Sequence, residues 1–110
     1  MEVDERKENG ITILVLKGRL DSNTSDQFGE KLYSLIQAGE NKLVLDLGGV
    51  DYISSAGLRV IIKSVKDLKR IDGQLCLCSM KDYIREIFDL SGIATILPIH
   101  PTLEESLHAL

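Results

Sequence analysis

Two adjacent serines, Ser54 and Ser55, stand in the segment Asp51-Tyr52-Ile53-Ser54-Ser55-Ala56-Gly57-Leu58. A strand-like run, Lys42 to Leu47, precedes this segment, and a helically spaced run, Leu58 to Ile71, follows it. The serines therefore stand where a helix begins. A serine there accepts a hydrogen bond from a free backbone N–H of the first turn, worth roughly 0.5–2 kcal/mol. One serine suffices for that, which leaves the other available. A helix N-terminus favours an anion, so Ser54-Ser55-Ala56-Gly57 is chemically suited to carry a phosphoryl group. Gly57 costs about 1 kcal/mol relative to alanine inside a helix. Close approach of the backbone to a group at the helix end would explain that choice.

The same residues are poorly arranged for nucleophilic catalysis. The segment is not a Gly-x-Ser-x-Gly elbow, and both histidines, His100 and His108, lie near the end of the chain. No glycine-rich phosphate loop with a lysine is present. Cys76 and Cys78 alternate with Leu75 and Leu77, which puts both thiols on one face of a strand. Without a second cysteine pair or a histidine at zinc spacing, they read as small buried hydrophobes, and no metal site or cofactor is expected. Arg59, Lys63, Lys66 and Arg70 form a basic stripe on the helix after the serines. It reads as a solvated face, with a docking surface for an acidic partner as the functional alternative. Arg59 is one turn beyond Ser55 and is spaced to pair with a phosphate there.

The elements that must position these groups follow from periodicity. Asn9-Gly10 is a strong hairpin signal between a polar strand, Val3 to Glu8, and an apolar one, Ile11 to Leu16. Thr24-Ser25-Asp26-Gln27 has the form of a capping box, followed by Phe28, Leu32, Leu35 and Ile36 at helical spacing and by Gly39 as a C-terminal cap. A strand over Lys42 to Leu47 leads to a helix over Ala56 to Ile71. Gln74 to Cys78 is a further strand, and Ser79-Met80-Lys81-Asp82 opens a helix carrying Ile84, Ile87 and Phe88. A short strand near Thr95 to Ile99 precedes a last helix, capped at Thr102, with Leu103, Leu107 and Leu110. The order β-β-α-β-α-β-α-β-α predicts one α/β sandwich domain over residues 1–110. Its sheet is mixed, mostly parallel, of four to five strands, with the helices mainly on one face through right-handed crossovers. Sites in open α/β sheets form at the carboxyl ends of the strands. Asp21, Asp46, Ser54 and Ser55 are therefore expected to lie closest together.

Composition narrows the class of function. The chain has 110 residues, 44% of them hydrophobic, with 5% aromatics and no Trp, so the core is aliphatic. A net charge of −4 argues against nucleic acid as a partner. There is no apolar run near the roughly 20 residues needed to cross a membrane. The charged N-terminus, Met1-Glu2-Val3-Asp4-Glu5-Arg6, does not resemble a signal peptide. A cytoplasmic domain is the expectation.

Taken with the element order, Gly18-Arg19-Leu20-Asp21, Leu45-Asp46-Leu47 and Tyr52-Ile53-Ser54-Ser55-Ala56-Gly57-Leu58 resemble the STAS domain. More narrowly, they resemble the bacterial anti-sigma factor antagonists. The resemblance implies a non-enzymatic, partner-switching role. The unphosphorylated antagonist binds an anti-sigma factor that is a serine kinase and so frees a sigma factor. Phosphorylation of a serine at the helix start ends the binding, and a metal-dependent serine phosphatase restores it. Aligned on Gly57-Leu58, the family's acceptor falls on Ser55, with Ser54 the alternative. Ser54 stands where the family often has Asp, and Ala56 replaces a hydroxyl residue. By the same matching, Asp21 and Asp46 flank the acceptor. The partner-binding surface is then expected to comprise Asp21, Ser22, Asn23, Asp46, Ser54, Ala56, Gly57, Leu58 and Arg59. A constitutive interaction module of the same fold, and a weak nucleotide hydrolase using Asp21 and Asp46, are the competing readings.

Overall fold

The computed structural model describes all of residues 1–110. Strand β1 (Glu2–Glu8) turns at Asn9 and Gly10, both at positive φ, into β2 (Ile11–Leu20). Helix α1 (Ser25–Gln37), β3 (Lys42–Ile53), α2 (Ser55–Lys69), β4 (Gln74–Cys78) and α3 (Asp82–Ser91) follow in alternation. A 3-10 turn (Ile93–Thr95), β5 (Ile99–His100) and α4 (Leu103–Ala109) complete the chain. The strands lie in the order β1-β2-β3-β4-β5. Only β1 is antiparallel to its neighbour; the other pairings are parallel.

Side chains alternate across a strand, and the sheet uses both faces. Leu14, Leu16, Leu43, Leu45, Leu47, Leu75 and Leu77 join Phe28 and Leu32 of α1, Ile61 and Val65 of α2, and Ile84 and Phe88 of α3 in the main core. Ile11, Ile13, Val44, Cys76 and Cys78 point the other way and are covered by Leu103, Leu107 and Leu110 of α4. Three helices thus share one face, as crossover handedness requires, while α4 lies on the opposite face. It follows the last strand, so no crossover constrains it, and the second row of apolar side chains needs a cover.

Three boundaries differ from the periodicity. The strands expected to end at Leu16 and Leu47 run on to Leu20 and Ile53. Register shifts between Val15 and Lys17, and again between Gly18 and Arg19, let the pairing continue past the point where the apolar alternation fails. Gly18 takes φ +104° there, and a Cβ on Gly49 would meet Lys17 Cγ at 2.7 Å and Leu16 O at 2.9 Å. Near the C-terminus the expected strand over Thr95 to Ile99 is mostly absent. Gly92 ends α3 in the left-handed region, a 3-10 turn takes Ile93–Thr95, and pairing begins only where Leu77 N–H donates to Pro98 O at 3.0 Å.

Burial pushes the Cys76 thiol up to about 11, with a smaller contribution from Cys78. It also raises Cys78, which Asp46 opposes ionising as well. Both cysteines are free and buried. The native protein is expected to leave both thiols unlabelled by a disulfide reagent at about pH 8, because burial disfavours each thiolate and blocks access, and to release both on unfolding. Leu107→Ala, which thins the α4 cover, is expected to speed labelling of the folded protein, as followed by absorbance.

Candidate functional site

The two serines divide the roles available at the helix start. Ser54 is the N-cap of α2, with φ −97° and ψ 172°. Its hydroxyl accepts a hydrogen bond from Gly57 N–H at 3.3 Å. Its own N–H donates to Leu20 O at 2.9 Å, which ties the start of α2 to the end of β2. Ser55 is the first helical residue and is exposed. Its hydroxyl has no hydrogen-bond partner within the chain. Gly57 is buried, and a Cβ there would meet Leu20 Cγ at 2.7 Å, Leu20 O at 3.0 Å and Ile53 Cγ1 at 3.1 Å. The close approach that this glycine permits is to the protein's own strands and not to a group at the helix end. Ala56 and Leu58 are half-buried and Arg59 is exposed.

The basic stripe beyond is broken up by Asp67. Asp67 pairs with Lys63 at 2.8 Å and with Arg70 at 3.6 Å, while Lys63 also lies 5.3 Å from the Tyr33 ring centre. Arg59 forms no such pair.

The loop between β2 and α1 lies beside this helix start and is locked by its own side chains. Asp21 Oδ1 accepts from Asn23 N–H at 2.9 Å and Thr24 N–H at 3.2 Å. The Asn23 N–H is the main reason that the Asp21 carboxyl titrates below its usual range; Arg19 and Thr24 add to it against a partial cost of burial. The Thr24 hydroxyl donates to Arg19 O at 2.8 Å and accepts from Asp21 N–H at 2.9 Å. With its hydroxyl so engaged it makes no cap bond to α1, so the capping box expected over Thr24 to Gln27 does not form. Ser22 and Asn23 are exposed at the tip.

Asp46 is not brought to this edge. It pairs with Val15 on one side and Cys78 on the other, whereas Leu20 pairs with Ile53. The steps from Val15 to Leu20 put about 16 Å of strand between them at about 3.3 Å per residue. Alternation also turns Asp46 to the face of Val44 and Cys78, away from α2. There its carboxylate accepts from Gly48 N–H at 2.9 Å. The expectation that Asp46 flanks the serines fails because β3 continues past Leu47 and does not end there.

Tyr52 and Arg19 carry a contact that the sequence does not reveal. The Arg19 guanidinium lies 4.2 Å from the Tyr52 ring centre. Nearby, Lys81 pairs with Asp51 across the β4–α3 connection, and Asp51 raises the lysine's pKa. The largest groove, about 600 Å³, runs between α1 and α2 past Ser25, Gly29, Tyr33 and Ser64. Ser54, Ser55 and Asp21 do not line it, so the serine site is an open surface and not a cavity. No group of three or more His, Cys, Asp or Glu side chains is placed to hold a metal ion, and no helix is long and apolar enough to cross a membrane.

Comparison with known proteins matches the STAS domain over residues 2–106. BtrV of Bordetella bronchiseptica, named a candidate anti-sigma factor antagonist, is 40% identical over 90% of this chain and 85% of its own length. The anti-sigma F factor antagonist of Paenibacillus polymyxa is 28% identical over 91% and 86%. In fold, a candidate anti-sigma factor antagonist from Thermotoga maritima aligns with a TM-score of 0.94 over 97% of this chain and 92% of that one, at 22% identity. The phosphorylated form of the Bacillus cell fate determinant SpoIIAA aligns with a TM-score of 0.78 over 98% of each chain, at 18% identity.

The split between the serines has a direct stability test. Ser54→Ala is expected to lower the unfolding free energy by roughly 0.5–2 kcal/mol. Ser55→Ala should stay within about 0.5 kcal/mol of the parent. Gly57→Ala overpacks Leu20 and Ile53 and should cost about 1–3 kcal/mol, exceeding any gain in helix propensity. Urea denaturation of the three variants checks the order.

Proposed function

The chain belongs to the STAS domain family, and from that premise we propose that it is an anti-sigma factor antagonist switched by phosphorylation of Ser55. In this reading the unphosphorylated protein binds an anti-sigma factor that is a serine kinase, and so releases a sigma factor in the cytoplasm. Phosphorylation by that kinase ends the binding, and a metal-dependent serine phosphatase reverses it. The observation that carries the reading is the division of labour at the start of α2. Ser54 holds the cap with its hydroxyl, while the Ser55 hydroxyl is exposed and uncommitted. A kinase can take Ser55 without breaking the fold.

The chemistry of the switch follows from charge. A phosphoserine adds about −1.5 to −2 charges at neutral pH. The N-terminus of α2 tolerates that charge locally, by roughly 0.3–1 kcal/mol, and Arg59 stands one turn on with no other partner. The domain therefore keeps its structure. An interface closed over the helix start meets the dianion beside the Asp21 carboxylate, and like-charge juxtaposition there costs several kcal/mol. At 1.4 kcal/mol per tenfold, that is on the order of 100-fold or more in affinity. In this reading Ser22, Asn23, Ala56, Leu58 and Arg59 form the contact surface around the acceptor. Gly57 acts only through packing, and Asp46 supports the sheet at a distance.

The experiment uses the purified anti-sigma factor kinase of the same organism. Incubation with ATP is expected to place one phosphate on the wild type and on Ser54→Ala, none on Ser55→Ala, as located by mass spectrometry. Calorimetric titration is expected to show tight binding by Ser55→Ala and a loss of about 100-fold or more by Ser55→Asp. Equal binding by the alanine and aspartate variants would indicate a constitutive interaction module instead.

A further inference from the structure

Arg19 and Tyr52 are register partners on β2 and β3, so their side chains leave the sheet on the same face. The next pair, Leu20 and Ile53, points the other way into the main core. The face that carries Arg19 and Tyr52 is the one α4 covers, but α4 lies over Ile11, Ile13, Val44, Cys76 and Cys78 and leaves the carboxyl end bare. Tyr52 is 41% exposed there.

The arginine is held in a particular way. Its Cζ lies over the tyrosine ring, 4.2 Å from the centre. Its Nε–H faces Asp21 Oδ2 at 3.4 Å. Asp21 is itself fixed by the backbone N–H groups of Asn23 and Thr24. Two contacts thus set the guanidinium's orientation and occupy one edge of it. Its two terminal nitrogens, which carry the remaining donors of the fork, bond to nothing in the chain. A guanidinium fixed by stacking, with its terminal edge open, is pre-organised for a carboxylate that accepts parallel N–H···O bonds. Arg and Tyr are also the residue types enriched where interfaces concentrate their binding energy.

We propose that the Arg19–Tyr52 stack is a second contact point of the partner-binding surface and receives an Asp or Glu side chain of the anti-sigma factor. This rests on the partner-switching reading above. The surface begins at Ser55, crosses the strand ends at the Ser54 N–H to Leu20 O bond, and continues onto the sheet face opposite α2. Tyr52 is three residues before Ser55, within about 10 Å of extended chain, so one partner spans both. The two points divide the work. Ser55 decides whether the partner stays, and the stack helps decide which partner fits, because only one with a carboxylate at that place satisfies the fork.

The test measures binding of the purified anti-sigma factor kinase to the wild type, Arg19→Lys, Arg19→Glu, Tyr52→Leu and Ser55→Asp. Urea midpoints are expected to stay near the parent for the exposed Arg19 and Tyr52, which separates lost docking from lost fold. Arg19→Lys is expected to weaken binding by about tenfold, since an ammonium neither stacks nor forks. Arg19→Glu is expected to weaken it on the order of 100-fold by like-charge repulsion. Replacing one Asp or Glu of the kinase's docking face with Arg should restore binding to Arg19→Glu alone. The proposal is overturned if Arg19→Glu binds like the wild type while Ser55→Asp does not bind. If the wild type itself does not bind, the partner-switching reading falls and takes this proposal with it; if Ser55→Asp binds equally well, the switch falls, and loss of binding by Arg19→Glu still decides the contact.

Discussion

Helix α2 begins so close to the ends of β2 and β3 that position 57 has no room for a side chain: a Cβ would sit 2.7 Å from Leu20 Cγ and 3.0 Å from Leu20 O. Most of the site depends on this approach. It brings the backbone of Ser54 within hydrogen-bonding distance of Leu20 O. With that bond made, Ser54 is held at extended angles and its hydroxyl turns to the Gly57 N–H. The next residue enters the helix facing outward. One packing contact therefore assigns the cap to Ser54 and leaves Ser55 exposed.

Under the proposed switch, the same contact is what would make a charge at Ser55 act on binding more than on folding. Ser55 stands at the junction of a helix and two paired strands, not on a loop. The loop beside it, Asp21 to Thr24, is equally constrained, because the Asp21 carboxylate and Thr24 hydroxyl are consumed by backbone groups. A surface whose parts are fixed before a partner arrives loses little conformational entropy on binding. Under the proposed switch it would also be unable to move a phosphate aside to accommodate the partner, so rigidity and switching would be one property.

The sheet underneath serves two layers at once. Its main face packs α1, α2 and α3 around leucines, and the other face is sealed at one end by α4 over Ile11, Ile13 and the two cysteines. Helix α4 starts just past His100, level with Cys78, and runs back to Gln74 and Leu75, so the carboxyl end of that face stays open. Two bulges, each adding a residue to β3, let β2 and β3 pair on into the open region and carry Arg19 and Tyr52 with them. The placement of the last helix and the two bulges of β3 together set how much surface the protein presents.

Much of this was readable from residue order. Leucines at helical and strand periods identify the layers, Asn9-Gly10 marks the hairpin, and a helix starting at paired serines after a strand locates the candidate site. These are relations between residues close in the chain, where backbone geometry repeats and local rules hold. The sequence alone also provided both serines as candidates, and it identified Cys76 and Cys78 as apolar fillers. Only the tertiary structure decided which serine is free, that Asp46 lies about 16 Å of strand away from it, and that Arg19 lies over Tyr52. Each of those depends on register between strands brought together from distant parts of the chain. Two bulges shift that register, and periodicity along one strand carries no information about the offset of its neighbour.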